Sequence, residues 1–185
     1  MTENTIPPDA AMPEEIRWQG RFIIAKTRGN WEYVSRARDI RAAVILALEG
    51  DEVVLVEQFR VPLGHPCLEL PAGLIGDERE DNEDSEDALD AAQRELEEET
   101  GYHAAHWENL GDYYSSPGMV SESFTLLKAT GLTKIGKGGG TAGENITVHR
   151  VKLSEIAQTI ADFRAKGHGI DVRLLMLLGG SIIGA

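Results

Sequence analysis

An apolar strand pattern near the middle of the chain limits the fold more than any other feature. Residues 42–49 read AAVILALE, and a turn at Gly50-Asp51 separates them from residues 53–60, which read VVLVEQFR. Two extended runs joined by such a turn predict a β-hairpin. The first run is apolar at nearly every position, as in strands that are buried on both faces. It is therefore expected to be a central strand of a sheet.

The residues that precede this hairpin predict a second, weaker one. Residues 21–27 and 31–36 have β-like patterns, with turn residues at 28–30 between them. Residues 1 to about 16 are polar and contain prolines, so we expect them to form a disordered or loosely packed arm.

Strand patterns outnumber helix patterns in the rest of the chain. Extended segments are predicted at residues 67–73, 107–118, 123–130 and 145–153. Helices are predicted at Ser85–Thr100, at Ser154–Lys166 and from Asp171 onward. Ser85 and Ser154 are the predicted N-caps, and Gly101 is the glycine expected at a helix end. These elements predict an α+β sandwich around a mixed sheet.

The composition excludes several classes of protein. A net charge of −13 does not suit a nucleic-acid-binding surface, which needs clustered Lys and Arg. The single cysteine, Cys67, excludes an internal disulfide and is expected in the core. The N-terminus lacks a signal-peptide pattern, and the apolar run Leu174–Leu178 is too short to span a bilayer, so we interpret it as the end of a core helix. We expect a soluble, cytoplasmic protein without nucleic-acid or membrane partners.

The negative charge is concentrated in one block. Residues 77–99 contain 13 Asp or Glu and two Arg, a net charge of −11. The first part, residues 77–84, has no apolar side chain and is expected to be a solvated loop. The second part has helical spacing, because Leu89, Ala92 and Leu96 share an apolar stripe that suits packing on a sheet.

Three glutamates lie beside that stripe. Glu95, Glu98 and Glu99 stand at helix positions i, i+3 and i+4, where like charges repel by about 0.2–0.5 kcal/mol per pair. Their place near the C-terminal end of a helix adds to this penalty. A divalent cation would reverse it, because Mg²⁺ prefers oxygen ligands and is often shared between carboxylates and substrate phosphates. From the spacing alone, a metal site and a solvated acidic helix face are both open.

The same helix resembles a known family motif. Glu86, followed after seven residues by Arg94–Tyr102 (RELEEETGY), is similar to the core of the Nudix box. The family pattern has a Gly five residues before its first Glu, whereas here twelve residues separate Gly73 from Glu86. We therefore interpret residues 77–84 as an insertion between the box glycine and its helix.

The resemblance covers roughly residues 17–178 and points to one branch of that family, the ADP-ribose pyrophosphatases or ADP-sugar diphosphatases. Besides the box, it rests on the segments VLVEQFRVPLG, CLELPAGLI, SSPG and GENITVHRV. It implies a Nudix fold, an α/β/α sandwich around a mixed sheet, at residues 39–185. It also implies a small antiparallel β domain at residues 1–38, through which the chain would form a homodimer.

A metal site is the next implication of the resemblance. Mg²⁺, with Mn²⁺ as an alternative, would be bound by the backbone carbonyl of Ala72 and the side chains of Glu95, Glu98 and Glu99. Arg94 would orient these carboxylates by a charge-assisted hydrogen bond. Arg94 and Glu98 would thereby take part in catalysis.

A loop glutamate is the general base that the resemblance implies. In this branch it lies just ahead of a late strand, and the matching position is Glu144, after the glycine-rich residues 136–143. The glycines would let the loop close, although an ordinary flexible connector has the same composition. A supporting or metal-binding role for Glu144 stays open, and Glu122 is a second candidate for either task.

Substrate contacts are also implied, from both predicted domains. The matching positions are Phe22, Trp31, Arg36, Arg60, Gly118 and Met119. Phe22 and Trp31 would sandwich the adenine, and Arg60 would contact a phosphate. Packing across the hairpin is an equally good interpretation of Trp31.

Together these features predict Mg²⁺-dependent hydrolysis of the pyrophosphate bond of ADP-ribose, giving AMP and ribose 5-phosphate. GDP-mannose or another nucleoside diphosphate sugar is an alternative substrate. A Nudix-fold module that binds ADP-ribose without hydrolysing it is an alternative of another class, and the complete set of metal-binding glutamates argues against it.

Overall fold

The computed structural model describes residues 6–76 and 87–183, which fall into two compact units. The first unit combines the residues up to Arg41 with Tyr114–Ser123, and the second combines Ala42–Tyr113 with the residues from Phe124 onward. This grouping differs from the predicted division at residue 38, because the segment after Tyr113 belongs with the N-terminal strands.

The first unit contains a three-stranded antiparallel sheet. Its strands are β1 (Glu14–Gln19), β2 (Ile23–Arg28) and β3 (Trp31–Arg36), in that spatial order. The predicted hairpin is confirmed as β2 and β3. The prediction of a loose arm up to about residue 16 is wrong at its end, because Glu14 pairs with Arg28 of β2. All six side chains of β1 are exposed, so the strand lacks the apolar alternation that would have revealed it.

The second unit is built on a mixed eight-stranded sheet. Its strands are β4 (Arg41–Glu49), β5 (Glu52–Arg60), β6 (His65–Glu69), β7 (Ala72–Ile75), β8 (Tyr102–Tyr114), β9 (Ser123–Lys134), β10 (Thr147–Lys152) and β11 (Gly169–Ile170). The main order is β11-β6-β5-β4-β9-β8, with β10 paired to β5 and β7 paired to β4. β4 therefore lies at the centre, as predicted, and it runs parallel to β9.

Alternate side chains of β4 pack on opposite faces of this sheet. On one face, Ile45 joins a core with α1 (Ala88–Glu95), which continues as a π-helical segment, Leu96–Thr100. On the other face, Val44 joins a core with α2 (Ile156–Ala165). Two helices on opposite faces of a mixed sheet confirm the predicted α/β/α sandwich.

The N-cap of α1 is Asp87, whose side chain accepts a hydrogen bond from the Leu89 N–H. Ser85, the predicted cap, lies outside the described residues. The helical stretch ends at Gly101, which has the left-handed backbone predicted for it (φ 70°). The predicted acidic loop and Glu86 lie outside the described residues.

The C-terminal part of the chain corrects the predicted cap at Ser154 and begins its last helical segment after Asp171, as predicted. The described helical elements of this part, besides α2, are a 3₁₀ turn (Leu153–Glu155), a second 3₁₀ turn (Val172–Leu178) and α3 (Gly179–Ile183). Ser154 lies inside the first turn, and α2 has no side-chain cap. Asp171 caps the second turn, where its side chain accepts from the Arg173 N–H. No helix within the described ranges is long and apolar enough to cross a membrane.

Candidate active site

Arg94 links two of the predicted metal ligands to the sheet. Its Nη1 contacts Glu95 Oε1 at 2.8 Å and Glu98 Oε2 at 3.7 Å. Its Nη2 donates a hydrogen bond to the Leu74 carbonyl at 3.3 Å. The arginine thus holds both carboxylates near β7, the strand that begins at Ala72.

Glu99 is the buried member of the acidic group. It is 6% exposed, and its Oε2 accepts a hydrogen bond from the Ala72 N–H at 3.1 Å. Burial raises the pKa of this carboxyl group to about 8, although the Ala72 hydrogen bond acts in the opposite direction. The charges of Glu95 and Glu144 raise the pKa as well. A buried carboxylate beside two others is stable as an anion only with a cation close by.

Gly73 allows Glu95 to lie directly against β7. A Cβ added at position 73 would overlap with the Glu95 carboxyl group. The glycine is therefore required by a close approach between the strand and the helix side chain. Sequence spacing alone did not reveal this contact, because Gly73 and Glu95 are 22 residues apart and meet only in the folded chain.

The glycine-rich loop packs against the end of the same helical stretch. The N–H groups of Gly139 and Gly140 donate to the carbonyls of Glu99 and Glu98, at 2.8 and 3.0 Å. They satisfy carbonyls that a helix end leaves without partners. Gly138, Gly139 and Gly140 all have positive φ, which other residues rarely adopt. The loop therefore has a defined backbone conformation and packs specifically against the end of the helical stretch, unlike an ordinary flexible connector.

This packing brings Glu144 to the acidic group. The Glu144 Oε2 accepts from the Thr141 N–H at 2.7 Å, and the residue is exposed. Its charge raises the pKa of Glu99, so the two carboxylates are within electrostatic range of each other. A solvent-exposed carboxylate beside the predicted metal ligands is well placed to accept a proton from water.

Arg60 is close enough to Glu99 for their charges to interact. Its positive charge lowers the pKa of Glu99. Its Nε and Nη2 donate to the two oxygens of Glu69, at 2.6 and 2.8 Å, and Glu69 is only 2% exposed. This partner was not predicted. A charged residue within the apolar segment CLEL was the signal that could have found it, because buried acids are rare unless they are paired.

Glu95, Glu98 and Glu99, at the C-terminal end of the helical stretch, and the Ala72 carbonyl are suitable ligands for a divalent cation. They offer carboxylate and carbonyl oxygens, which Mg²⁺ prefers, and burial of Glu99 creates a need for positive charge. Within residues 6–76 and 87–183, no three His, Cys, Asp or Glu side chains are already grouped to hold a metal ion. Arg94 contacts Glu95 Oε1 and Glu98 Oε2, so it orients both carboxylates at the end of the helical stretch where a cation would bind.

In the metal-free protein, the free energy of unfolding is expected to fall as the pH rises from about 5 to about 8. The pKa of Glu99 is about 8 in the folded state, above its ordinary value of 4.5, so folding takes up a proton in this interval. Urea unfolding in EDTA at several pH values measures the effect. Glu99→Gln should remove most of the slope, and an unchanged slope in that variant would contradict the assignment.

The first unit carries the other predicted contacts. Val34 donates its N–H to the Met119 carbonyl at 2.9 Å and forms a parallel bridge with Val120, so the segment that follows Gly118 lies along β3. Arg36 Nε donates to Glu122 Oε1 at 2.5 Å. Glu122 is thus engaged in an ion pair, which weakens its case as the general base.

Phe22 and Trp31 lie at opposite ends of the β2–β3 hairpin. The register pairs Ile23 with Arg36 and Arg28 with Trp31. Phe22 is six residues from Arg28, so at about 3.3 Å per residue roughly 20 Å of strand separates the two aromatic positions. The two rings of one chain therefore do not face each other across a single adenine. Both are more than half exposed, so each stays a separate predicted contact.

Comparison with known proteins gives matches over most of the chain. A family model described as the NUDIX domain matches residues 37–167. An uncharacterized Nudix hydrolase of Schizosaccharomyces pombe is 34% identical over 174 residues, which cover 87% of this chain and 80% of that protein. An ADP-ribose pyrophosphatase of Bacillus subtilis is 38% identical over 93 residues, which cover 49% of this chain and 45% of that protein. The chain thus spans about half the length of that pyrophosphatase.

Solved structures include a similar fold. A crystal structure described as an ADP compounds hydrolase matches with a TM-score of 0.67, over 93% of this chain and 92% of that chain. The sequence identity is 21%, so this likeness shows the fold alone.

Proposed function

Because the chain belongs to the NUDIX family, we propose that it catalyses the Mg²⁺-dependent hydrolysis of the pyrophosphate bond of ADP-ribose, giving AMP and ribose 5-phosphate. Membership confirms the predicted family, fold and hydrolase class. The similarity to a protein named ADP-ribose pyrophosphatase supports the choice of substrate.

One observation carries the metal dependence of the proposal. Glu99 is buried beside other carboxylates, and its pKa is raised to about 8. Such a group costs folding free energy at neutral pH, so its presence needs a compensating role. Binding a cation that neutralises a diphosphate supplies that role, because the cation is attracted by the acids and in turn attracts the anionic substrate.

The chain's own residues have distinct tasks in this reaction. Glu95, Glu98, Glu99 and the Ala72 carbonyl would hold the metal ion, which when bound would act as a Lewis acid on the diphosphate. The Arg60 guanidinium, anchored on Glu69, binds a phosphate oxygen. The Glu144 carboxylate takes a proton from the attacking water. The water oxygen bonds to one phosphorus, and the bridging oxygen leaves with the other phosphate group.

Replacing the base gives a direct prediction. Glu144→Gln is expected to lower kcat with ADP-ribose by about a hundred-fold with little change in KM, because general base catalysis contributes on the order of 10²–10⁴. Steady-state kinetics at saturating Mg²⁺ measures both constants. Glu122→Gln is the comparison variant, and a larger loss in kcat for it than for Glu144→Gln would transfer the role to Glu122.

The substrate is tested with a panel of nucleoside diphosphate sugars. ADP-ribose, ADP-glucose and GDP-mannose are incubated with the protein and Mg²⁺ in ¹⁸O-labelled water, and the products are identified by mass spectrometry. The proposal expects the highest kcat/KM for ADP-ribose, with one labelled oxygen in AMP or in ribose 5-phosphate. Faster hydrolysis of GDP-mannose would move the assignment to that sugar. Binding of ADP-ribose without any product would favour a non-catalytic module.

The proposal includes a homodimer formed through the first unit. This unit leaves several large apolar side chains more than 40% exposed, among them Ile16, Trp18, Phe22 and Ile23. Exposed apolar groups of this kind suit a protein interface. Light scattering coupled to gel filtration should give twice the mass of the 20.2 kDa chain, and a single-chain mass at all concentrations would contradict this part.

A further inference from the structure

Two arginines from distant parts of the chain share the buried carboxylate of Glu69. Arg60, at the end of β5, contacts both oxygens. Arg173, in the turn after β11, places its Nη2 3.3 Å from Glu69 Oε2. The Glu69 side chain is 3% exposed, so loss of either arginine would leave a buried carboxylate with less compensating charge.

Arg173 is itself fixed by Asp171. Its Nε and Nη2 lie 2.6 and 2.7 Å from the two carboxylate oxygens, and the guanidinium lies 5.7 Å from the centre of the Phe124 ring. Burial acts to raise the pKa of Asp171, but the hydrogen bonds from Arg173 hold it below its ordinary value. Asp171 is therefore an anion at neutral pH, and the four groups form a chain of alternating charge with no net charge.

The sheet register explains why these residues meet. β11 runs parallel to β6 and pairs Ile170 with Leu68, and the Asp171 N–H donates to the Leu68 carbonyl at 3.0 Å. This pairing brings Asp171 beside Glu69, the next residue of β6. The short strand β11 thus places the turn that contains Arg173 next to Glu69.

Arg60 has a free edge on the side away from Glu69. Its Nε and Nη2 are engaged, while Nη1 has no hydrogen-bond partner among the residues that the structure describes. The Arg60 side chain is 40% exposed, whereas that of Arg173 is 16% exposed. Of these two arginines, Arg60 is therefore the one open to an anionic ligand, and its orientation is set by Glu69.

We propose that Arg173 is a positioning residue, which fixes Glu69 so that Glu69 aims the Arg60 guanidinium at the diphosphate of the substrate. This inference rests on the proposed function, because it needs Arg60 to contact a phosphate. Loss of Arg173 would leave Glu69 and Asp171 in a buried site with one cation too few. Glu69 would then shift, and Arg60 would lose the orientation that a planar, bidentate contact gives it.

The test is a double-mutant cycle on KM. Arg173→Met and Arg60→Met are each expected to raise KM for ADP-ribose by about ten-fold, with kcat within about two-fold of wild type, as for uniform binding. The double variant should have the KM of Arg60→Met alone, since Arg173 acts only through Arg60. Arg173→Lys keeps the charge and should raise KM by a smaller factor. Arg164→Met, an exposed arginine at the end of α2, is the matched control and should leave KM unchanged.

A purely structural role for Arg173 would give a different pattern. The effects of the two single changes on KM would then multiply in the double variant, and that result would overturn the proposal. Thermal unfolding shows whether each variant is folded, and if Arg173→Met is not, the same cycle is run with Arg173→Lys.

A second readout separates this proposal from the proposed function. Calorimetry of ADP binding in the presence of Mg²⁺ reports the Arg60 contact without turnover. In one outcome, wild type does not hydrolyse ADP-ribose, but the double variant binds ADP with the Kd of Arg60→Met alone. The proposed reaction would then be wrong, and the positioning role of Arg173 would be supported. If wild type hydrolyses ADP-ribose and neither KM nor Kd shows coupling, only the positioning role is overturned. A chain that neither hydrolyses ADP-ribose nor binds ADP contradicts both.

Discussion

Glu98→Gln is expected to lower kcat for ADP-ribose hydrolysis by at least about a thousand-fold, which corresponds to about 4 kcal/mol of lost transition-state stabilisation. The amide has the shape of the carboxylate but lacks the negative charge that a metal ligand needs. The side chain is 38% exposed and lies 3.7 Å from Arg94. An exposed pair of this kind contributes at most about 1 kcal/mol to stability, so the variant should remain folded. Steady-state kinetics with saturating Mg²⁺, together with circular dichroism, measures both outcomes.

Glu97 provides the matched control, one residue away on the same helical segment. Its Oε1 lies 2.8 Å from His103 Nδ1 and its side chain is 41% exposed, so it has the charge and exposure of Glu98 but different neighbours. Glu97→Gln should keep kcat within about two-fold of wild type, because it removes no metal ligand. Equal losses of kcat in the two variants would mean that activity depends on the total negative charge of this helical segment. Glu98 would then have no role of its own.

Gly73→Ala is expected to lower kcat/KM by about a hundred-fold while it changes the free energy of unfolding little, because misplacing a catalytic group by about 1 Å has effects of this size. The new methyl group would occupy the place of the Glu95 carboxyl group. The displaced atoms are the far end of a flexible side chain, so the backbone need not move. Activity should therefore be lost through the position of Glu95, with the fold retained. Kinetics and urea unfolding separate the two effects.

Gly179→Ala is the control for this substitution. A Cβ at Gly179 meets no atom within 4 Å, and the residue has an ordinary helical backbone (φ −47°). The variant should match wild type in activity and unfold at the same urea concentration or slightly higher, since alanine favours helices over glycine. If Gly73→Ala is as active as Gly179→Ala, the close contact between β7 and Glu95 is not needed for function.

Local patterns were enough to predict the sheet core and the acidic helix. The apolar run at 42–49 predicted a central strand, and Val44 and Ile45 do pack on opposite faces of the sheet. The spacing of Leu89, Ala92 and Leu96 predicted the buried face of α1. These features depend on periodicity, which a single sequence displays directly.

Contacts between distant segments were not predictable in the same way. Nothing in the spacing of Arg60, Glu69 and Arg173 indicates that they meet, because the parallel pairing of β11 with β6 brings them together only in the folded chain. The separation of Phe22 and Trp31 also follows from strand register, which turn residues alone did not fix. The predicted cap at Ser154 was wrong for another reason: a 3₁₀ turn that contains Ser154 precedes α2, and α2 begins without a side-chain cap.

The most direct test of the account is the Mg²⁺ dependence of AMP release from ADP-ribose. The account predicts no AMP in excess EDTA, a saturable rise in rate as Mg²⁺ is added, and equal amounts of AMP and ribose 5-phosphate at every point. Release of AMP at the same rate in EDTA and in Mg²⁺ would contradict the role assigned to Glu95, Glu98 and Glu99. Absence of AMP at any Mg²⁺ or Mn²⁺ concentration would contradict the proposed reaction itself.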